Sequence, residues 1–592
     1  MDTTSPFRLP HKTPFRLVEK LTEWATGLDK LDKFYTQRPA DCDTQSFLRF
    51  TLEVLGIDYQ IAKGSLAYVP EQGATVIVAN HPLGGVEGVI LAEMLLQIRS
   101  DVQILANQYL KTVRELDELF IGVDVFDGQN AQKSNLRALR LAHQHLNKGG
   151  LLLLFPAGEV SQLDSKTQEL ADKEWSRSVA GLIRKANPVT IPCFIAGQNS
   201  RRFYLAGKIH PLLRTLMLGR ELLNKSSQSI SISIGSAIHH KEINGLTDRQ
   251  IVNYLRLNTY LLQNREPLEI ENQISLQPSI PITAPIPVEQ IEHDLNNLST
   301  EDLMLTHQDF DVYCTKYDQI PSIMQEIGRL REVCFRKAGE GTGLMTDLDE
   351  FDRDYLHLFV WDRKARCLVG AYRLGLVDEI IQKHGITGLY CRTLFNFDLP
   401  FIDSMGKSIE MGRSFINLGY QKSMLPLMLL WKGIGSFITK HPQYTHLFGP
   451  VSISNDYNSQ SRQLLAETMT LHHYDAEKAE YVSPSCPLKR ECHGWDTSML
   501  TTLSDPQLLS KVIARIDEGK SVPVLLRQYL ALNGKLVSFN IDPSFYNALD
   551  GLIIVDLKDV SIKTLARYMG VSQAEKYQKV HSKSTSQDTQ SY

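Results

Sequence analysis

The chain has 592 residues, 43% of them hydrophobic and 22% charged, with a formal net charge of −4. That is a folded, globular composition in a length too great for one ordinary core. The small acidic excess argues against nucleic acid as a partner, because phosphate binding wants a basic surplus. No apolar run approaches the roughly 18 residues that a membrane span needs, and Met1 to Leu17 lacks a signal-peptide core. A cytoplasmic protein is expected, meeting a membrane only at its surface. The cysteines are scattered, and Cys486, Cys492 and His493 lack zinc-ligand spacing, so reduced thiols and no metal are expected.

In chain order, residues 1–265 alternate apolar runs with amphipathic stretches, the pattern of an α/β layer fold. Within them, Phe47, Leu48, Phe50, Leu52, Val54 and Leu55 suit a helix that turns mostly to the core and in part to a membrane. Glu266 to Val288 then carries Pro267, Pro278, Pro281, Pro285 and Pro287. Prolines at that density lack amide donors and favour extended backbone, which places a linker at 266–300. The α/β pattern returns over 301–570, and the Ser/Gln/Lys-rich stretch 571–592 reads as a disordered tail.

The first chemical constellation follows a β-branched strand, Thr75 to Ala79. The strand runs into Asn80-His81-Pro82-Leu83-Gly84-Gly85-Val86-Glu87, and Val89, Ile90, Leu91, Met94, Leu95 and Ile98 then trace a helix. A histidine on a Gly-rich strand-to-helix turn with a carboxylate close behind suits a relay. The carboxylate fixes the imidazole tautomer while the ring takes a proton from an attacking hydroxyl. A histidine that merely caps the helix remains the alternative on spacing alone. A second buried strand, Leu151 to Leu154, ends in Phe155-Pro156-Ala157-Gly158-Glu159-Val160-Ser161, and a third, Val189 to Ile195, carries Pro192.

These blocks resemble the PlsC-like glycerolipid acyltransferases over about residues 60–240, whose motifs are N-H-x4-D, F-P-E-G-T-R-S and a later V-P strand. The resemblance implies His81 as general base with Glu87 behind it. It implies substrate contacts at Asn80, Gly84, Gly85, Phe155, Pro156, Gly158 and Glu159. Three departures stand out. Glu87 lies one residue farther from His81 than the family acid, and Gly84-Gly85 can absorb the extra residue. Ala157 and Val160 replace a Glu and an Arg. The segment Phe120 to Asp124 lacks the family's arginine. Relatives use those charges on a glycerol phosphate, so an acceptor hydroxyl without an adjacent phosphate is expected, unless Arg137, Arg140, Arg177 or Arg201 substitutes.

The second constellation lies in the other half. Leu330 to Gly343 reads as a basic helix ending in a glycine-rich turn, followed by strands Leu356 to Trp361 and Cys367 to Arg373. Another strand, Ser408 to Phe415, holds Glu410, Arg413 and Ser414. The loop Asn417 to Ser423, with Lys422, then opens a helix from Met424 to Thr439. Strand, polar loop and helix N-terminus can cradle an anion, though an ordinary βα turn looks the same. The run E-M-G-R-S-F-I, L-L-W-K-G-I and L-F-G-P-V-S-I-S, with Val522 to Leu530 and Asp542 to Asp550, resembles the ornithine N-acyltransferases of the GNAT superfamily, over about 310–565.

The second resemblance implies Glu410 orienting or deprotonating an amine, with an ion pair to Arg413 or Arg331 as the alternative. Substrate contacts at Arg413, Ser414 and Lys422 are implied too. The usual GNAT Q-x-x-G-x-G/A loop is missing, which fits acyl carrier protein as thioester donor, with no further cofactor. Arg329, Arg331, Arg336, Lys337, Lys422 and Lys432 are its candidate contacts. Together the resemblances imply a bifunctional ornithine-lipid synthase: a GNAT-like α/β domain N-acylates ornithine with a 3-hydroxyacyl group, and a PlsC-like α/β domain then O-acylates the lyso-lipid at the inner membrane surface. Alternatives are a glycine-lipid or lysophospholipid acyltransferase, or a haemolysin-like membrane-binding protein.

Overall fold

A computed structural model describes residues 6, 7, 23, 26–124, 129–163, 169–209, 213–214, 217–225, 229–263, 280–491 and 494–582. It divides into two units, Met1–Pro267 with Cys492–Ile516, and Leu268–Glu491 with Asp517–Tyr592.

The first unit is built on seven strands: β1 (Asp58–Lys63), β2 (Thr75–Ala79), β3 (Val102–Asn107), β4 (Phe120–Val123), β5 (Leu151–Leu154), β8 (Val189–Ile195) and β9 (Ser229–Ile234), with the short hairpin β6 (Gln162–Leu163) and β7 (Leu170–Ala171) set apart. The sheet order is β1-β9-β8-β2-β5-β3-β4, parallel throughout except between β8 and β9. Every residue of β2 and of β5 is buried. A parallel strand covered on both faces has no solvent side, which is why these two read as unbroken apolar runs instead of alternating ones. Because β8, β2 and β5 are parallel neighbours, the turns leaving them gather at one end of the sheet, where ligand sites of such folds form.

The helix Val86–Leu96 buries Val86, Ile90, Leu91, Met94 and Leu95 in the same core. The helix Thr44–Leu55 adds Phe47, Leu48, Leu52 and Leu55, so that face turns inward. The late segment belongs here as well. Asn253 Nδ2 donates to the Ser498 carbonyl at 2.8 Å, and Arg515 reaches Glu242 at 2.7 Å and the Tyr254 hydroxyl at 2.8 Å.

The second unit has eight strands in one sheet: β10 (Leu303–His307), β11 (Phe310–Lys316), β12 (Leu356–Asp362), β13 (Cys367–Leu376), β15 (Ser408–Ile416), β16 (His446–Ile453), β18 (Lys535–Asp542) and β19 (Ala548–Asp556). The two-residue strands β14 (Phe395–Asn396) and β17 (Ser483–Pro484) pair separately. The order β10-β11-β12-β13-β15-β16-β19-β18 is antiparallel except at β15–β16. The helix Pro321–Ala338 packs Ile323, Met324, Ile327 and Leu330 against Phe359, Trp361, Ala371 and Phe415. Leu425–Lys440 covers the other face, where a Cβ on Gly433 would stand 2.7 Å from Val312 Cγ1.

The parallel pairing of β15 with β16 lasts only three positions, Ser408↔His446 to Glu410↔Phe448. Beyond it the two strands part. Arg413 adopts a positive φ of 48°, and the register with β13 slips between Ala371 and Arg373, as at a bulge.

Three expected boundaries shift. The expected linker is tied down from Ile280, whose N–H donates to the Gly343 carbonyl at 3.0 Å, and Val288–Asn296 is a helix; residues 264–279 lie outside those described. Residues 494–516, placed by sequence in the second domain, sit in the first unit. The expected tail opens with a helix, Val571–Ser582, that buries Ala574 and Tyr577 and ties the Tyr577 hydroxyl to the Tyr444 carbonyl at 2.9 Å.

Candidate active sites

The first site stands where β2 and β5 end. His81 Nδ1 lies 2.9 Å from Glu87 Oε1, a charge contact outside ideal hydrogen-bond alignment. Glu87 is fully buried and accepts the N–H groups of Leu83 and Gly84, both at 2.9 Å, and of Gly85 at 3.1 Å. The turn therefore folds around its own carboxylate. Gly84 is required there: its φ is +90°, and a Cβ would meet Leu218 Cδ2 at 2.4 Å. Burial pushes the Glu87 carboxyl upward, but His81 and the backbone amides of Gly84 and Glu87 outweigh it and hold the group below its ordinary range. Burial likewise opposes a charged His81, yet Glu87 and, more weakly, Asp172 lift the imidazole above its usual value.

Phe155 packs against the imidazole, with ring centroids 4.6 Å apart and planes tilted by 35°. Among the described residues no protein group partners His81 Nε2, so Nδ1 faces Glu87 and Nε2 is left to take a proton.

Asp172 is the residue that the sequence did not disclose. It is buried, and its Oδ1 accepts the Ser161 hydroxyl at 2.5 Å and the His81 N–H at 3.2 Å, while Oδ2 accepts Trp175 Nε1 at 2.9 Å. It joins the Phe155–Ser161 block to the histidine turn, and the Ser161 N–H donates to the His81 carbonyl at 2.8 Å.

Several expected substrate contacts are already engaged. Asn80 spends both ends of its amide on the Ile195 backbone, at 2.9 and 2.7 Å, which pins β2 to β8. Gly84 and Gly85 give their N–H groups to Glu87. Pro156 is buried, with its carbonyl accepting the Ser176 N–H at 2.9 Å, and Gly158 forms the turn with a φ of 69°. Glu159 is held by Lys173 at 2.5 Å and Arg214 at 2.6 Å, while Arg177 turns towards Glu174 at 3.9 Å.

The second site is the cleft that opens where β15 and β16 part, a cavity of about 150 Å³. Arg413 and Ser414 line it, with Tyr372, Tyr390, Tyr529 and Phe545 and the carboxylates Glu340, Asp542 and Asp550. Burial, with Asp542 and Glu340 close by, lifts Asp550 to about 7; burial and the charge of Asp456 lift Glu340 to about 7 as well. The Arg413 guanidinium lies over the Tyr390 and Phe545 rings, 5.1 and 4.7 Å from their centroids. It faces Asp349 at 3.4 Å and Asp347 at 3.6 Å, and its Nε is buried without a partner. Behind it, Arg331 pairs with Asp352 at 2.9 Å, and Arg373 with Asp349 at 2.5 Å.

Glu410 is not brought to this cleft. It is 1% exposed, and its carboxylate accepts the Tyr355 hydroxyl and the N–H groups of Cys391 at 2.5 Å and Tyr390 at 3.2 Å. Strand alternation turns Glu410 away just where β15 and β16 still pair. Arg331 is fully buried and cannot be a docking contact, and Arg336 is tied to Glu332 at 2.6 Å, which leaves Lys337 and Lys422 exposed.

Two units with these sites define an acyltransferase, and family profiles agree. One described as Acyltransferase matches residues 32–268, and one described as Acetyltransferase (GNAT) domain matches residues 330–432. The glycine N(alpha)-acyltransferase of Phocaeicola vulgatus is 31% identical over 277 residues, 44% of this chain and 82% of that protein. Its namesake in Bacteroides thetaiotaomicron is 32% identical over 243 residues, covering 38% and 71%. The lyso-glycine lipid O-acyltransferase of Phocaeicola vulgatus is 28% identical over 199 residues, covering 32% and 68%. The chain belongs to the acyltransferase family of the first two.

Proposed function

We propose that this chain carries out both acylations of an aminolipid. The second unit joins a 3-hydroxyacyl group to an amino-acid amine, and the first esterifies the new lipid's hydroxyl. The observation that carries the reading is the His81–Glu87 relay in one unit and a separate carboxylate-lined cleft in the other; the first lies within the acyltransferase match, and Glu340 and Arg413 of the second lie within the GNAT match. At the first site His81 Nε2 takes the hydroxyl proton as the oxygen attacks a thioester carbonyl, and Glu87 stabilises the imidazolium.

Ornithine is the acceptor we assign, because three carboxylates line the cleft and the one arginine there already faces two aspartates, which suits a dibasic amino acid. The relatives' names favour glycine as the second reading. Acyl carrier protein is the proposed donor; the exposed Lys337 and Lys422 suit its acidic surface.

A peripheral position on the inner face of the membrane is supported by the helix Arg201–Ile209. Its Phe203 and Tyr204 pack on Val160, while Leu205 and Ile209 stand exposed among Arg201, Arg202 and Lys208.

Mass spectrometry of lipids from cells expressing the chain tests the whole. The wild type should give diacyl aminolipid and His81→Ala the mono-acyl amide, with esterification down on the order of 10²- to 10⁴-fold. Diacyl product from His81→Ala at the wild-type level would sink the assignment. Equal turnover of carrier-protein and coenzyme A thioesters by the purified enzyme would remove the carrier-protein claim.

A further inference from the structure

The C-terminal cleft holds acids to which the sequence reading gave no role, and it lacks the one that was expected. Asp550 comes from β19, Asp542 from β18 and Glu340 from the turn after the Pro321–Ala338 helix. Three separate elements thus bring carboxylates to the gap between β15 and β16. Asp550 is 3% exposed, and the Ser452 hydroxyl donates to its Oδ1 at 2.6 Å. Glu410, by contrast, has three donors and no face on the cleft.

We propose that Asp550 is the group that takes the proton from the acceptor's ammonium, with Glu340 beside it as the second carboxylate of an amine-binding pair. This rests on the reading that the second unit acylates an amine. The ammonium gives one proton to Asp550, and the freed lone pair forms the C–N bond at the thioester carbonyl. The C–S bond then breaks, and the departing sulfur takes the second amine proton, leaving amide and thiol. Asp550 returns its proton to water. Arg413 lines the same cavity, where its guanidinium can hold the acceptor's carboxylate and orient the amine.

The charged and titratable groups around Asp550 are Asp542, Glu340 and Arg413, with Tyr390 and Cys391 nearby. Burial and the two acids raise its pKa, whereas Ser452 and Arg413 lower it. A base near neutrality is well matched to this transfer, since it can both accept and release the proton.

The test is the pH profile of amide formation by the full-length enzyme, with a 3-hydroxyacyl carrier-protein thioester and either ornithine or glycine. Wild type should lose rate below about pH 7, because the base is then protonated. Asp550→Asn should cut kcat/KM for the amine on the order of 10²-fold or more, abolish that acidic limb and leave the thioester KM in place. Glu340→Gln should mainly raise the KM for the amine.

Ser452→Ala removes a hydrogen bond to the charged form, so its limb should move to higher pH, a shift that a purely structural role would not produce. Esterification of supplied lyso-lipid reports on the other unit in every variant. A wild-type rate and an unmoved limb in Asp550→Asn would overturn the proposal while leaving the N-acylation reading intact. No amide from the wild type with either acceptor, with esterification active, would overturn both.

Discussion

His81 gains its basicity from two carboxylates, and they act differently. Glu87 contacts the ring, whereas Asp172 holds the backbone beneath it and contributes charge from a greater distance. Because both raise the pKa of His81, and the neutral ring is the base in the proposed reaction, esterification should fall as pH drops through a value above 6.5, the group's ordinary pKa. Asp172→Asn removes one of the two charges, so the limb should move to lower pH with the relay still present. A limb that stays put in that variant would show that Asp172 only braces the turn. The relay itself was legible in the sequence, because histidine, glycines and glutamate sit within seven residues of one another. Asp172 was not, since it lies 91 residues on in a stretch with no motif, and only the fold brings it back.

At the scale of elements, the buried strands were the easiest to read: Thr75–Ala79, Leu151–Leu154 and Val189–Ile195 form where their β-branched and apolar residues predict them. The cleft of the second unit could not be read in the same way. It depends on where β15 stops pairing with β16, which no hydropathy pattern marks. Its one local trace is Gly449, where a Cβ would come 2.0 Å from the Met411 carbonyl oxygen, so the strands can close to pairing distance only beside a glycine. Glu410 misled for a related reason: a polar residue in an apolar strand suggests chemistry, but this one satisfies a hydroxyl and two amides. The amphipathic helix Arg201–Ile209 gives a prediction at this scale. Leu205→Glu with Ile209→Glu should weaken flotation with anionic vesicles several-fold while soluble short-chain acceptors are still esterified. Undiminished flotation would move the membrane surface elsewhere.

At the scale of the whole molecule, the sequence showed a PlsC-like and a GNAT-like region and misplaced their edges. The Pro-rich segment suggested a domain boundary within 266–300, but a first unit ending there lacks Cys492–Ile516. Its Arg515 binds Glu242 and Tyr254, and Ser498 takes the Asn253 amide. Residues 1–267 alone should therefore unfold at a lower temperature than the same residues with 492–516 fused behind them. Matching thermal midpoints for the two constructions would show the segment to be dispensable.

The same threading has a consequence for synthesis. The first unit cannot complete its packing until Ile516 has left the ribosome, and roughly 220 residues of the second unit are translated in between. At about 5–20 residues per second, that leaves the nascent first unit waiting about 11–45 s with its docking site for the returning segment open. Vectorial folding from the N-terminus is thereby suspended, and the two catalytic halves mature together near the end of translation.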